Sequence, residues 1–409
     1  MAPPEETDPR PARLSRRRLL GYTAVGVGGA VAGAGSALAA TQDAPPPVDA
    51  VGTRTVAFHG PHQAGVTTPA QARAVFAGLD LRDGVGAEAI GRLLRLWTQD
   101  AAALTAGRPA TADPAPTLAE RPAGLTVTFG FGPGLFDAIG RPDAVPAGFV
   151  PAPTFPIDRL LPRWSDGDLL VQVCADDSIA AAHAVRVLLV GARPFATVRW
   201  QQSGFLPHAG VAPGTTPRNL MGQLDGTANP TENDGLDDVV WSREGWLAGG
   251  TTMILRRIRM DLDEWDRVPP PEQEQAIGRR LSDGAPLTGG REHDPADFSR
   301  RDHHGLVIPA DAHIRRARPH HGQDRILRRG YSYDDGVDTD GNPDAGLLFA
   351  SYQASFHRQF LPVQRRLAAL DALNTWTTPV GSAVFAIPPG CEPGGWIGQT
   401  LLESAADGP

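Results

Sequence analysis

The amino-acid sequence predicts an α+β fold built from two ferredoxin-like halves. Between residues 55 and 202 the hydrophobic patterns follow the order strand, helix, strand, strand, helix, strand, which is the ferredoxin-like order. An approximate second pass of strands and helices begins after Phe205. We therefore expect a dimeric α+β-barrel-like sheet sandwich with peripheral helices, in which the two halves of one chain take the places of two subunits. No repeat is visible in the sequence itself, so this expectation rests on element order.

The first half is predicted from residue periodicity. A helix is expected at 86–105, where Ile90, Leu93, Leu94 and Trp97 recur at helical spacing. Further helices are expected at 134–139 and 178–189. Apolar and β-branched runs predict strands, and they lie at 55–59, 125–131, 168–173 and 195–202.

The second half repeats this alternation with longer connections. Strands are expected at 251–260, 346–352 and 383–387, and helices at 271–281 and 359–370. We place the boundary between an N-terminal half, 41–215, and a C-terminal half, 216–409. The motifs described below predict that the second half carries the functional site.

The first 40 residues predict an export signal that is not part of the fold. Residues 15–20 read SRRRLL, a twin-arginine pattern, and a weakly hydrophobic Gly/Ala run leads to an ALA cleavage site at 37–39. An uncleaved anchor is the alternative, although small residues make a poor membrane span. Twin-arginine export carries folded proteins, so it predicts a cofactor loaded before export and a secreted, periplasmic or cell-envelope location.

Composition excludes several other classes of function. The chain of 409 residues has a formal net charge of −8, and an acidic body without a basic run argues against a nucleic-acid partner. Beyond the N-terminus no stretch is long and apolar enough for a membrane span, so none is expected after signal cleavage. The two cysteines, Cys174 and Cys391, are too few for a disulfide framework, and their pairing after export stays open.

Several motifs occur in one order along the chain. Residues 59–69 read HGPHQAGVTTP, residues 222–230 read GQLDGTANP, and residues 311–315 read DAHIR. They are followed by LRRGYSY at 327–333, GLLF at 346–349 and PVGSAVFAIPP at 379–389. This series resembles the dye-decolourising peroxidases, a heme family, and within it the twin-arginine-exported branch that includes deferrochelatase-type proteins. The resemblance also implies the two ferredoxin-like halves.

The resemblance implies that His313 is the axial ligand of a heme b iron, with one heme per chain. A proximal imidazole binds iron through one nitrogen and donates from the other to an acceptor, which orients the ring. The family pattern implies a carboxylate acceptor, and Asp371 is the candidate. Outside this motif, His313 would be a surface or capping histidine and Asp371 a helix-surface aspartate.

Asp225 and Arg328 match the family's distal pair. An acid–base group must take a proton from bound hydrogen peroxide and return it to the leaving oxygen. A nearby cation favours an ionised carboxylate and stabilises charge that develops as the O–O bond breaks. The alternative for Asp225 is a turn residue, because D-G is common in turns. The family places the functional arginine first in the pair, so we expect Arg329 to face a carboxylate or solvent.

Further contacts are implied by the same resemblance. Gly226, Thr227 and Ala228 resemble backbone that lies along the heme edge. Arg318, Pro319 and His320 stand where the family usually has Asn-Pro-Arg, so Arg318 is the candidate for the propionate contact. Leu348 and Phe349 resemble the apolar wall that confines peroxide, and plain core strand is the alternative.

The sequence thus predicts an exported heme b peroxidase that oxidises an organic or dye-like donor by one-electron steps through a ferryl intermediate. Hydrogen peroxide and an unidentified reducing substrate are its expected partners, and a homo-oligomer stays open. The alternative is a heme-handling protein that extracts iron from heme. A third hypothesis is a non-heme interaction module, in which every motif would serve only as a turn or as part of the core.

Overall fold

The computed structural model describes residues 49–207, 214–320 and 324–403. The predicted export signal at 1–40 lies outside these ranges. The strands are β1 (Arg73–Leu81), β2 (Thr126–Phe131), β3 (Leu169–Ala175), β4 (Ala196–Phe205), β5 (Thr251–Met260), β6 (Arg301–Asp302), β7 (Gly305–Leu306), β8 (Leu327–Arg328), β9 (Tyr331–Val337), β10 (Pro343–Gln353) and β11 (Thr377–Ile387).

The α-helices lie mainly in the connections between these strands. They are α1 (Asp49–Gly52), α2 (Ala87–Thr105), α3 (Pro133–Ala138), α4 (Ser178–Ala192), α5 (Leu236–Val240), α6 (Leu262–Arg267), α7 (Pro270–Ile277), α8 (His313–Ala317), α9 (Leu361–Leu370) and α10 (Gln399–Glu403). A π-helical turn, Phe356–Phe360, leads directly into α9. No described helix is of the length and apolar character that crossing a membrane requires.

The N-terminal sheet has the antiparallel order β2-β3-β1-β4. Helix α2 follows β1 and helix α4 follows β3, which gives the ferredoxin-like connection. Helix α4 begins where Asp177 accepts hydrogen bonds from the backbone N–H groups of Ile179 and Ala180, both at 2.9 Å. The N-terminal half is therefore ferredoxin-like, as expected.

The predicted first strand is wrong. Residues 55–59 form no strand, and the first strand of the sheet is Arg73–Leu81. This strand is buried on both faces, so its sequence, RAVFAGLDL, lacks the alternation of a half-exposed strand. Gly78 is required within it, because a Cβ there would collide with the ring of Trp200 on β4.

The C-terminal sheet has the same order, β11-β5-β10-β9. Strands β8 and β9 both pair with β10 in one register, with Leu348 opposite Tyr331 and Ser351 opposite Arg328. They form one strand interrupted at Arg329 and Gly330. Our sequence analysis predicted neither β8 nor β9. It also extended the helix at 271–281 too far, because α7 ends at Ile277 and the next residue, Gly278, has φ +94°.

The two sheets face each other across an apolar core. Single pairings join their edges, Phe131 with Ala386 and Phe205 with Ser332, and the pairing of β5 with β10 closes the sheet into a barrel. The core between the sheets takes side chains from both halves, among them Phe76, Cys174, Leu255, Tyr331, Tyr352 and Phe385. The predicted α+β sandwich of two ferredoxin-like halves is confirmed. Cys174 and Cys391 are free thiols.

Candidate active site

His313 begins α8, and its ring lies against the end of α9. Its Nδ1 is 2.7 Å from Oδ2 of Asp371, while Oδ1 of Asp371 accepts a hydrogen bond from the backbone N–H of Leu373 at 3.0 Å. An ionised carboxylate only accepts hydrogen bonds, so Nδ1 of His313 carries the proton and Nε2 of the neutral ring carries the lone pair. The His313 side chain is 29% exposed and that of Asp371 only 5%. The pair thus presents one oriented imidazole nitrogen.

The pKa of His313 is raised. Burial alone would lower the pKa, but the charge of Asp371 and its hydrogen bond more than offset burial. The charge of Arg328 lowers the pKa and that of Asp225 raises it, by smaller amounts. Asp225 and Arg328 therefore lie within electrostatic range of His313.

Asp225 and Arg328 form an ion pair with 3.0 Å between Oδ1 and Nη1. Asp225 follows the bridge between Arg218 and Leu224, and its backbone is fixed by the bond from its own N–H to the carbonyl of Pro217 at 2.8 Å. The next residue, Gly226, has φ +136°, which favours glycine. The side chains of Asp225 and Arg328 are 24% and 25% exposed. A pair of this kind is open to a small polar molecule.

Arg329 does not face a carboxylate or solvent, so that expectation was wrong. Its side chain is buried and donates to the carbonyl of Thr68 and to the side-chain oxygen of Gln71. Both partners belong to the N-terminal half. Arg329 therefore ties the strand that carries Arg328 to the opposite half of the fold.

The residues after Asp225 contact a second polar group. The Thr227 hydroxyl donates to Oε1 of Glu292 at 2.9 Å, and Ala228 is exposed. Burial alone would raise the pKa of Glu292, but hydrogen bonds from Thr216 and Thr227, and the charges of His293 and Arg279, lower it overall. Glu292 is an acidic neighbour of the site that sequence reasoning missed.

Arg279 is a second cation beside the ion pair, and it too was missed. Burial lowers its pKa most, the charge of Glu292 raises it, and the charge of Arg328 lowers it further. Its Nη1 donates to the carbonyls of Gly284 and Glu292, both at 2.7 Å. Nothing in its local sequence, GRR, distinguishes Arg279 from its neighbour Arg280, because only the fold brings it near Arg328.

The segment that replaces Asn-Pro-Arg is exposed. Arg318, Pro319 and His320 lie on the surface just after α8, and the Arg318 guanidinium stacks on the ring of Phe298 at 4.7 Å. The backbone N–H of His320 donates to Asp324 at 2.9 Å. The role of Arg318 as a propionate contact stays a prediction.

Leu348 and Phe349 point to opposite faces of β10, because neighbouring residues alternate in a strand. Leu348 is fully buried in the core between the two sheets. Phe349 is partly buried against a different cluster, which contains Leu347, Trp265 and Leu373 and lies next to Asp371. The structure thus places Leu348 in a core strand, and its assignment to a pocket wall stays a prediction. Leu347 is the leucine that shares a face with Phe349.

The comparisons with known proteins decide the family. The profile of the N-terminal domain of Dyp-type peroxidases matches residues 63–206, and that of the C-terminal domain matches residues 216–392. This chain belongs to the Dyp-type peroxidase family. The chain is therefore a heme peroxidase, an oxidoreductase that uses a peroxide and a reducing substrate.

Individual relatives agree with this family. A dye-decolorizing peroxidase from Thermobifida fusca is 41% identical over 360 residues, which cover 83% of this chain and 84% of the relative. The Escherichia coli deferrochelatase is 38% identical over 418 residues, covering 95% of this chain and 97% of the relative. The crystal structure of a DyP-type peroxidase from Cellulomonas bogoriensis has a TM-score of 0.84 and 50% identity, over 86% of this chain and 99% of that one.

The described side chains fit a heme of this family. A porphyrin supplies the other nitrogen ligands of its iron, so one oriented imidazole such as that of His313 is sufficient from the protein. Asp371 gives the second ring nitrogen the carboxylate partner that ligating histidines commonly have. The polar pair Asp225–Arg328 supplies a carboxylate and a guanidinium 3.0 Å apart, and both can contact a small polar reactant.

Proposed function

We propose that this peroxidase holds heme b on His313 and that Asp225 and Arg328 carry out the peroxide chemistry. The observations that support this most strongly are the 2.7 Å contact between Nδ1 of His313 and Asp371 and the 3.0 Å ion pair of Asp225 with Arg328. Each pair joins segments that are far apart in sequence. When bound, the heme supplies the iron that binds peroxide and takes up two oxidising equivalents.

The chain's own groups then have separate tasks. Nε2 of His313 donates to iron, and the hydrogen bond of Nδ1 to Asp371 fixes the ring and increases its donor strength. The carboxylate of Asp225 would accept a proton from one oxygen of hydrogen peroxide and deliver it to the other oxygen, so that the latter can leave as water. The Arg328 guanidinium, 3.0 Å from that carboxylate, stabilises the negative charge that develops on the departing oxygen.

The reducing substrate is proposed to be an organic, dye-like donor that gives up one electron at a time. Phe349 and Leu347 line one face of β10 next to the proximal pair, and this apolar surface suits a heme plane better than it suits a bulky polar donor. We therefore propose that donors are oxidised at the exposed edge of the site.

Export through the twin-arginine pathway is part of the same proposal. It is supported by the SRRRLL pattern at 15–20 and the ALA site at 37–39. The mature protein would then act in a secreted, periplasmic or cell-envelope location. Cell fractionation with and without an Arg16→Lys, Arg17→Lys double change tests this, because loss of the twin arginines should leave the protein in the cytoplasm.

Removal of iron from heme is the second candidate function. It is favoured by the similarity to the E. coli deferrochelatase, which extends over 95% of this chain. Both functions use His313, but only peroxide turnover needs Asp225 and Arg328.

An absorption spectrum of the heme-loaded mature chain distinguishes the two functions. The peroxidase proposal predicts a Soret band that shifts with one equivalent of hydrogen peroxide and returns when a reductant is added. Asp225→Ala should retain the Soret band and slow the shift. A Soret band that does not respond to peroxide, together with metal-free porphyrin accumulating under reducing conditions, would instead establish iron removal.

A further inference from the structure

Arg328 lies at the free edge of a strand. In the antiparallel pairing of β8 with β10 it stands opposite Ser351, while the next residue, Arg329, donates its backbone N–H to the carbonyl of Ala350 at 2.8 Å. Hydrogen-bonded and non-hydrogen-bonded pairs alternate along such a ladder. The backbone N–H and C=O of Arg328 therefore point away from β10 and need partners elsewhere.

The side chain of Asn229 supplies both partners. Its Nδ2 donates to the carbonyl of Arg328 at 2.7 Å, and its Oδ1 accepts from the backbone N–H of Arg328 at 3.0 Å. A carboxamide carries one donor group and one acceptor on the same plane. It can therefore pair with one residue of a strand edge in the way that a neighbouring strand would.

Asn229 ends the turn that directly follows Asp225. The backbone N–H of Asn229 donates to the carbonyl of Gly226 at 2.8 Å. This hydrogen bond fixes the short backbone segment that connects Asp225 with Asn229. One short segment thus binds Arg328 at three points, the guanidinium through Asp225 and the main chain through Asn229. The relative position of the two distal groups is set within this unit.

Arg328 needs this fixation. Its only described side-chain hydrogen bond is the one to Asp225, and a long flexible side chain held by one bond loses order readily. Arg279 also acts electrostatically on Arg328, and the two like charges repel each other. A main chain held from both N–H and C=O resists this repulsion.

We propose that Asn229 is a positioning residue, which sets the place of the Arg328 guanidinium relative to Asp225 without contacting peroxide. The proposal rests on the proposed function of the distal pair. It explains why asparagine stands at this position, since aspartate would lose the donor to the Arg328 carbonyl and alanine would lose both bonds.

The test compares Asn229→Ala and Asn229→Asp with wild type in the heme-loaded protein. Misplacement of a catalytic group by about 1 Å can cost about 10²-fold, so we expect the rate constant for reaction with peroxide to fall about 10- to 10²-fold in Asn229→Ala. The heme content and the KM for the reducing substrate should stay at wild-type values. Asn342→Ala is the matched control, because Asn342 bonds to Asp338 in the distant β9–β10 turn and should change nothing.

Hydrogen–deuterium exchange of the peptide spanning 325–331 gives a readout that does not depend on activity. Exchange at the Arg328 amide should accelerate in Asn229→Ala and much less in Asn229→Asp, which retains the acceptor. Faster exchange in Asn229→Ala with an unchanged peroxide rate would overturn the proposal. An unchanged exchange rate in Asn229→Ala would overturn it as well. If Asn229→Ala fails to fold, the near-isosteric Asn229→Asp must still show the slower peroxide step. A wild-type protein that does not react with peroxide would refute the proposed function. The exchange experiment would still test whether Asn229 holds the main chain of Arg328.

Discussion

The two sides of the candidate site are built differently. On the proximal side, His313 starts a short helix and donates to an aspartate whose side chain is 5% exposed. On the distal side, Asp225 directly precedes a turn, Arg328 lies on an edge strand, and about a quarter of each side chain is exposed. His313 is equally open at 29%, so the two sides differ in their support: a buried carboxylate orients His313, whereas the two distal groups are paired with each other. The first arrangement suits the permanent holding of a cofactor, and the second suits reaction with a small molecule. Substitutions should therefore separate cofactor binding from peroxide chemistry.

The largest effect is expected from His313→Ala. This change removes the nitrogen proposed to bind iron, so the heme should be lost or bound much more loosely. Titration of the heme-free variant with hemin, followed at the Soret band, measures the effect. A variant that keeps the wild-type affinity and spectrum would place the axial ligand elsewhere.

Asp225→Ala should have the next largest effect, and on the other side of the comparison. The heme should stay bound, while the reaction with peroxide should slow by about 10²- to 10⁴-fold, the usual contribution of a positioned acid–base group. Stopped-flow absorption at limiting peroxide measures this rate constant. A wild-type rate would show that Arg328 or water moves the proton without the carboxylate.

Asp371→Asn should weaken the proximal side without removing its ligand. Loss of a partner to a ligating histidine commonly costs about 10- to 100-fold in metal affinity or activity. Asp371 also raises the pKa of His313, and a proton on His313 competes with iron. Heme affinity of wild type should therefore fall as the pH drops through this raised pKa, and in Asp371→Asn the fall should occur at lower pH. Hemin titrations between mildly acidic and neutral pH test this shift, and an unchanged pH dependence would contradict it.

The smallest effect on function is expected from Leu348→Ala. Because Leu348 is buried between the two sheets, its truncation should lower the free energy of unfolding by about 2–5 kcal/mol and leave the peroxide rate nearly unchanged. Leu347→Ala is the matched comparison, since Leu347 shares a face with Phe349 and should alter the heme spectrum more. Thermal unfolding and the Soret band measure the two effects. A heme spectrum that changes more in Leu348→Ala than in Leu347→Ala would instead support Leu348 as part of the pocket wall.

Much of the site was visible in the sequence because motifs mark single residues. The segments around Asp225, His313 and Arg328 each identify a chemical group, and the structure joins Asp225 to Arg328 in an ion pair. The sequence also indicated Asp371 as the partner of His313, which the distance of 2.7 Å now supports. A residue whose side chain binds the main chain of another residue, as that of Asn229 does, cannot be recognised in this way. Asn229 was part of a motif, but only the free edge of β8 reveals which groups its carboxamide meets.

Elements of the fold could be predicted where their own residues follow a helical periodicity or form an apolar run. Helices α2 and α4 and strands β2, β3 and β5 lie close to their predicted positions, because each has its own periodicity or apolar run. Strand β1 was missed although β2 and β3, which are buried along their whole length, were predicted. Its sequence, RAVFAGLDL, contains a single β-branched residue, and the weak strand formers Ala and Gly interrupt its apolar run. Strand β9 was missed because four of its seven residues are exposed and its tip, DDG, reads as a turn.

The sequence by itself determined the order of elements, the family motifs and the chemical identity of the proposed iron ligand and distal pair. These depend on residue types at fixed positions, which are local properties. Only the tertiary structure decided that Arg329 faces the N-terminal half, that Leu347 and not Leu348 accompanies Phe349, and that Arg279 and Asn229 act on Arg328. Such contacts join segments far apart in the chain, and they form only when the strand register and the closure of the barrel fix which faces meet.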